Sequence, residues 1–105
     1  MKRGEVWWCN LAPPKNRRPV LLLSRDEVYR IRTQATIAVV TTRIRGIPVE
    51  VQLGADDGLP KECVANLDTI MTIPISQLDQ RIALLSTEKM VAVEAAIRFA
   101  LGMNI

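Results

Sequence analysis

The stretch Arg17-Arg18-Pro19-Val20-Leu21-Leu22-Leu23-Ser24 sets two fixed positive charges directly ahead of a short, unbroken apolar run. A run of this length, rich in branched aliphatics and entered through a proline, reads as a β-strand buried on both faces. The two arginines then stand at the lip of the core. A guanidinium stays charged at physiological pH and presents a rigid fork of donors that matches a phosphate, so an arginine pinned by the following proline is a candidate anion clamp. Taken alone, the pair reads more simply as a solvated loop and strand start; the rest of the chain shifts the balance.

Upstream, Gly4 to Asn10 carries the aromatic and branched residues of a strand, and the two prolines of Ala12-Pro13-Pro14-Lys15-Asn16 break it with a stiff loop that delivers Arg17 and Arg18. Downstream, Arg25 to Arg32 has room for no more than a helical turn. Ala35 to Thr42 is a second buried strand, and Val49 to Leu53 alternates as a half-exposed one. Between them Arg43 to Pro48 reads as a hairpin loop with projecting arginines. Gly54 to Pro60 is dense in turn formers. Two short strands are expected next, Glu62 to Leu67 and Thr69 to Ile73, separated around Asp68, and a last one from Arg81 to Leu85. Ser86 is a good N-cap with Glu88 in the first turn, and Met90, Val93, Ile97 and Leu101 then recur at helical spacing ahead of Gly102 at the C′ position. That stripe is expected to be core packing. Many short strands and one terminal helix, with no helix between the central strands, predict a mainly β domain spanning residues 1–105, a small, strongly bent barrel or sandwich with the helix packed at one end.

Composition narrows the chemistry. The 105 residues include no histidine, which removes the usual general base and the Ser-His-Asp and Cys-His triads. Cys9 and Cys63 stand far apart inside apolar stretches and are expected as buried free thiols, with no spacing for a metal site. No phosphate-cradling or dinucleotide motif is present, so no cofactor is expected. No apolar run approaches the roughly 20 residues that span a bilayer, and the first residues lead straight into a strand pattern, so the expectation is a cytoplasmic protein without a membrane partner. The net charge of +3 hides an asymmetry: residues 1–45 hold ten Lys/Arg and three Asp/Glu, residues 46–105 four and eight. Gathered on one face, the basic half offers a field that a polyanion would follow.

What remains is Arg18 at the start of one buried strand and Thr41-Thr42 at the end of another. If the two strands are adjacent and antiparallel, start lies beside end, and a guanidinium and a hydroxyl meet at one rim of the sheet. Together they suffice to grip one phosphate, with Arg43 and Arg45 flanking it. Trp7 and Trp8 are adjacent and point to opposite faces of their strand. One is expected in the core, the other covering an interface or stacking on a base.

The order Arg3-Gly4-Glu5-Val6-Trp7, Arg18-Pro19-Val20-Leu21-Leu22-Leu23, Val39-Val40-Thr41-Thr42 and Ile70-Met71-Thr72-Ile73, closed by a terminal helix, resembles the MazF/PemK family over nearly the whole chain. The resemblance implies an SH3-like β-barrel with a C-terminal helix that forms a homodimer. It implies a metal-independent, sequence-specific endoribonuclease toxin that cleaves single-stranded RNA to a 2′,3′-cyclic phosphate and a 5′-hydroxyl, held silent by a small acidic, MazE-like antitoxin. Carried over by residue, the catalytic arginine before the strand proline is Arg18 and the catalytic threonine is Thr41, with Thr42 its neighbour. Lys15, Arg17, Thr42, Arg43 and Arg45 are the expected RNA-binding residues, and Glu50, Asp26 and Glu27 the carboxylates considered for a general base. The family's longer loop with a Gly-Ser-Glu-Gln-like motif is reduced here to residues 12–17. Two other readings share the fold: a non-catalytic toxin of the CcdB type that poisons DNA gyrase, and a plain RNA-binding barrel.

Overall fold

In the computed structural model, which describes residues 1–14 and 16–103, the apolar runs form one antiparallel sheet. Its strands are β1 Glu5–Asn10, β2 Arg17–Leu22, β3 Gln34–Thr41, β4 Glu50–Leu53, β5 Cys63–Pro74 and β6 Leu78–Leu84. They lie in the order β4-β5-β3-β2-β1-β6. The central position of β2 and β3 explains their unbroken apolar sequence, since both faces are covered. Leu21, Ala38 and Val40 face a core shared with the C-terminal helix, while Val20, Leu22, Ile37 and Val39 face a second apolar layer on the other side of the sheet. The sheet curls until its two ends approach: a Cβ built on Gly58, in the loop after β4, would stand 3.1 Å from Cβ of Ala83 on β6. Gly58 also holds a φ of +88°, so both backbone and space ask for glycine there.

Helix α1 is the single turn Val28–Ile31 that the sequence leaves room for, and α2 runs Thr87–Ala100. The Ser86 side chain caps α2 by accepting from the Lys89 N–H at 3.0 Å. Val93 and Ala96 are buried and Met90 and Ile97 half-buried against the sheet, as the stripe predicts, whereas Leu101 lies beyond the last turn and is 62% exposed. Lys89 reaches back to the edge strand, its Nζ donating to the Gln52 carbonyl at 2.7 Å and lying 3.6 Å from Asp57 Oδ2. Among the described residues, no helix is long and apolar enough to cross a membrane.

Three expectations about the strands are corrected. The two strands expected over residues 62–73 are one, Cys63–Pro74: Ala38 pairs with Ile70 and the next residue, Val39, with Asn66, so Leu67, Asp68 and Thr69 form a bulge within continuous β5. Backbone donors of that bulge are satisfied locally, Asp68 N–H on Asn66 Oδ1 at 2.9 Å and Leu67 N–H on the Val49 carbonyl at 2.8 Å. Residues 43–48 are not a hairpin, because β3 and β4 both pair with β5 from opposite sides and the loop crosses its end. Strand β6 begins at Leu78, ahead of the expected Arg81, through a polar segment that pairs with β1.

Glu5 is a charged side chain in the core, 7% exposed. Its carboxylate accepts from the Lys2 N–H at 3.0 Å, Trp7 Nε1–H at 3.0 Å and Arg81 Nε–H at 2.9 Å, which ties the N-terminus and β1 to β6. Burial raises its pKa and these hydrogen bonds overcome that, leaving the carboxyl below its ordinary value. Cys9 and Cys63 are buried and free, and burial pushes both thiols up.

Candidate active site

The register of the two central strands carries the argument. Val20 pairs with Val39, Leu21 with Ala38 and Leu22 with Ile37, and the same register continued toward the strand ends sets Arg18 opposite Thr41. Both share the face of Val20 and Val39 by strand alternation, and both are half-buried. Arg18, Thr41 and Thr42 form the ridge between two open cavities, of about 430 Å³ and about 480 Å³, and line both. The first is completed by Trp8, Arg17 and Lys61, the second by Arg43, Arg45 and Asn66. Cations thus stand on either side of the arginine–threonine pair. Among the described residues, neither cavity has a carboxylate in its wall.

Thr41 is held by the loop that follows it. The Arg43 N–H donates to Thr41 Oγ1 at 3.1 Å, which fills an acceptor position and leaves the hydroxyl proton to be donated elsewhere. The same loop is pinned by Glu50, whose Oε1 accepts from the Arg45 N–H at 3.0 Å and the Gly46 N–H at 2.9 Å. Glu50 therefore positions the loop that carries Arg43 and Arg45; it shares a sheet face with Asn66, its pairing partner on β5, but lines neither cavity. Asp26 accepts from the Arg3 N–H at 2.7 Å and Glu27 lies 3.5 Å from Arg25. None of the three carboxylates considered for a general base stands at the Arg18–Thr41 pair.

Arg17, an expected RNA contact, is engaged by a neighbouring carboxylate and an aromatic ring. Its Nε–H and Nη2–H donate side by side to Asp79 at 3.2 Å and 3.0 Å, and its guanidinium carbon lies 4.6 Å from the centroid of the Trp8 ring. Asn10 Nδ2 donates to the same carboxylate at 3.1 Å. The Arg17 hydrogen bond holds the Asp79 carboxyl below its ordinary value, with Asn10 adding to the effect. The two tryptophans divide as their alternation requires: Trp7 packs on the second apolar layer, while Trp8 lines the first cavity. Lys15 lies outside the described residues. Sequence reasoning overlooked Lys61 and Asn66; the signal for Lys61 was a lone cation after Pro60 in the acidic half of the chain.

The family model described as "PemK-like, MazF-like toxin of type II toxin-antitoxin system" matches residues 2–101. The chain belongs to this toxin family. Over 103 residues it is 38% identical to the "Probable endoribonuclease MazF5" of Mycobacterium tuberculosis, covering 97% of this chain and 94% of the relative. The solved structure of "Mycobacterium tuberculosis toxin MazF-mt6" superposes with a TM-score of 0.89 at 32% identity, over 96% of this chain and 99% of that one. A second, "Endoribonuclease in complex with its cognate antitoxin from Mycobacterial species", superposes with a TM-score of 0.88 at 27% identity, over 100% and 98% of the two chains. The curled six-stranded sheet with its C-terminal helix is the MazF toxin fold, as the residue pattern and resemblance predict.

Proposed function

We propose that Arg18 and Thr41 are the catalytic pair of this MazF-like endoribonuclease toxin, acting on one phosphate of an unpaired RNA strand. The observation that carries the assignment is the β2–β3 register, which brings a guanidinium and a hydroxyl to one rim with further cations on both sides. In the reaction, the ribose 2′-oxygen bonds to the adjacent phosphorus, the bond from phosphorus to the 5′-oxygen breaks, and the proton lost from the 2′-hydroxyl is balanced by one gained on the leaving oxygen. The products are a 2′,3′-cyclic phosphate and a free 5′-hydroxyl. Arg18 stabilises the extra negative charge of the phosphorane; a guanidinium gives up its proton too reluctantly to serve first as an acid. Thr41, its oxygen already accepting from Arg43, donates its proton to a phosphate oxygen and fixes the group. Thr42, Arg43 and Arg45 hold the strand where it crosses the ridge, and Lys15 is a further RNA contact proposed from the sequence alone.

The working unit we infer is a cytoplasmic homodimer silenced by an acidic antitoxin. The basic lining of the two cavities supports that reading, and so does the solved relative with its cognate antitoxin.

The test is digestion of a long mixed-sequence RNA in EDTA by wild type and Arg18→Ala, with both ends of each cut mapped. Discrete cuts with cyclic phosphate, reduced about 10² to 10³-fold by the substitution, are expected. Absence of cuts by folded wild type, or an Arg18→Ala protein as toxic to cells as wild type, would instead favour a fold-sharing inhibitor of a protein target such as gyrase.

A further inference from the structure

We infer that Arg17, laid on Trp8 and held by Asp79, is a stacking plate for one unpaired nucleobase beside the scissile phosphate, and that it sets a modest preference there for the bases that stack best. The inference rests on the endoribonuclease reading above. It starts from a mismatch between charge and geometry. An arginine ahead of the catalytic one suggests a second phosphate grip, yet one of the two donor forks of the guanidinium, Nε–H with Nη2–H, is already spent on the two oxygens of Asp79, leaving three N–H donors at its far end. The carboxylate also offsets the charge that would attract an anion.

Besides those donors, Arg17 offers a plane. One side of its guanidinium faces the Trp8 indole, and the Arg17 side chain remains 45% exposed. Arg17 and Trp8 line the same cavity as Arg18 and Thr41, and the walls around them include Pro14, Pro19 and Pro60. A flat cation backed by an aromatic ring and rimmed by prolines suits a base ring better than a phosphate, since splayed single-stranded bases stack on guanidinium planes and aromatic faces. Arg17 and Arg18 are consecutive in β2 and alternate to opposite faces, so the plate meets the catalytic pair around the strand end, in the cavity that both residues line, which sets it at a nucleotide beside the one being cut. Asp79 touches no RNA in this scheme. It is a positioning residue that keeps the plate level, with Asn10 holding the carboxylate from the other side.

The test uses the same metal-free digestion of mixed-sequence RNA, sequencing the cut ends of wild type, Arg17→Ala, Arg17→Lys, Asp79→Asn, Trp8→Leu and Trp8→Phe, each checked for folding by its melting temperature. Wild type is expected to show a base preference at one position flanking the cut. Arg17→Lys, which keeps the charge and loses the plane, and Trp8→Leu flatten that preference and raise KM about ten-fold. Trp8→Phe, which keeps an aromatic backing, retains the preference; Asp79→Asn weakens it at the same position. If wild type cuts RNA but Arg17→Lys and folded Trp8→Leu keep the full base pattern, the plate is overturned while the nuclease stands. A loss confined to Arg17→Ala, uniform over all sequences and with a salt slope shallower by about 0.7, overturns it in favour of a phosphate contact. If wild type makes no cuts, the endoribonuclease reading fails first, and the plate with it.

Discussion

The β1 strand has an acid, an arginine and a tryptophan gathered at each end, and the two sets behave differently. At its start, Glu5 accepts from Trp7 and from Arg81 of β6 in a site that is 7% exposed. At its finish, Asp79 of β6 accepts from Arg17 of β2, which lies over Trp8, and the Asp79 side chain is 39% exposed. The residue types are the same and the consequences opposite. A buried carboxylate must have its partners, so the first set locks the fold; an exposed one exchanges partners with water at little cost, so the second can serve a ligand.

That contrast is most easily broken at Glu5. Replacing it by alanine strands the Trp7 and Lys2 donors, which is expected to cost about 2 kcal/mol and lower the melting temperature by about 10 °C in thermal denaturation. An unchanged melting temperature would show that burial had not made this set structural. Trp7→Phe removes a single hydrogen bond from the same set and should cost about 1 kcal/mol by denaturant titration, whereas Trp8→Phe should cost less.

Acid separates the two carboxylates further. The Glu5 carboxyl titrates below its ordinary 4.5 in the folded chain, so the stability it contributes is complete above the unfolded value and is lost as the pH falls through the folded one. Melting temperatures followed from about pH 7 to about pH 3 should fall more steeply for wild type than for Glu5→Gln; parallel curves would remove Glu5 as the source. The smallest effect belongs to Asp79→Asn, for which no resolvable change in melting temperature is expected, although the base preference of cleavage changes. A clear loss of thermal stability would make the Asp79 set a second lock.

Much of the site could be read from local patterns. An apolar run entered through Arg18-Pro19 and another leaving through Thr41 place the two residues at strand ends, and antiparallel pairing of neighbours then brings them together. The bulge in β5 could not be read, because Asp68 has the look of a strand break and is compatible with continuous pairing only through its bond to Asn66. Nor could the crossover of residues 43–48, since a hairpin and a crossover of that length share the same turn formers. The role of Glu50 was hidden for a related reason: it looks like a free surface acid until the loop folds over it and presents backbone donors. The Arg17 set was beyond sequence reasoning, because Asp79 is 62 residues away and sits in a polar segment that only its pairing with β1 reveals as strand.

The lysine that ties α2 to β4 has a meaning for the fate of the protein in a crowded cell. A sheet that curls without sealing keeps a rim of backbone groups able to recruit another chain, and Lys89 occupies one of those groups, the Gln52 carbonyl. The terminal helix thus acts as a bolt across the open seam. While α2 is docked, that carbonyl is closed to an added strand, and a molecule whose helix has come undone offers it again.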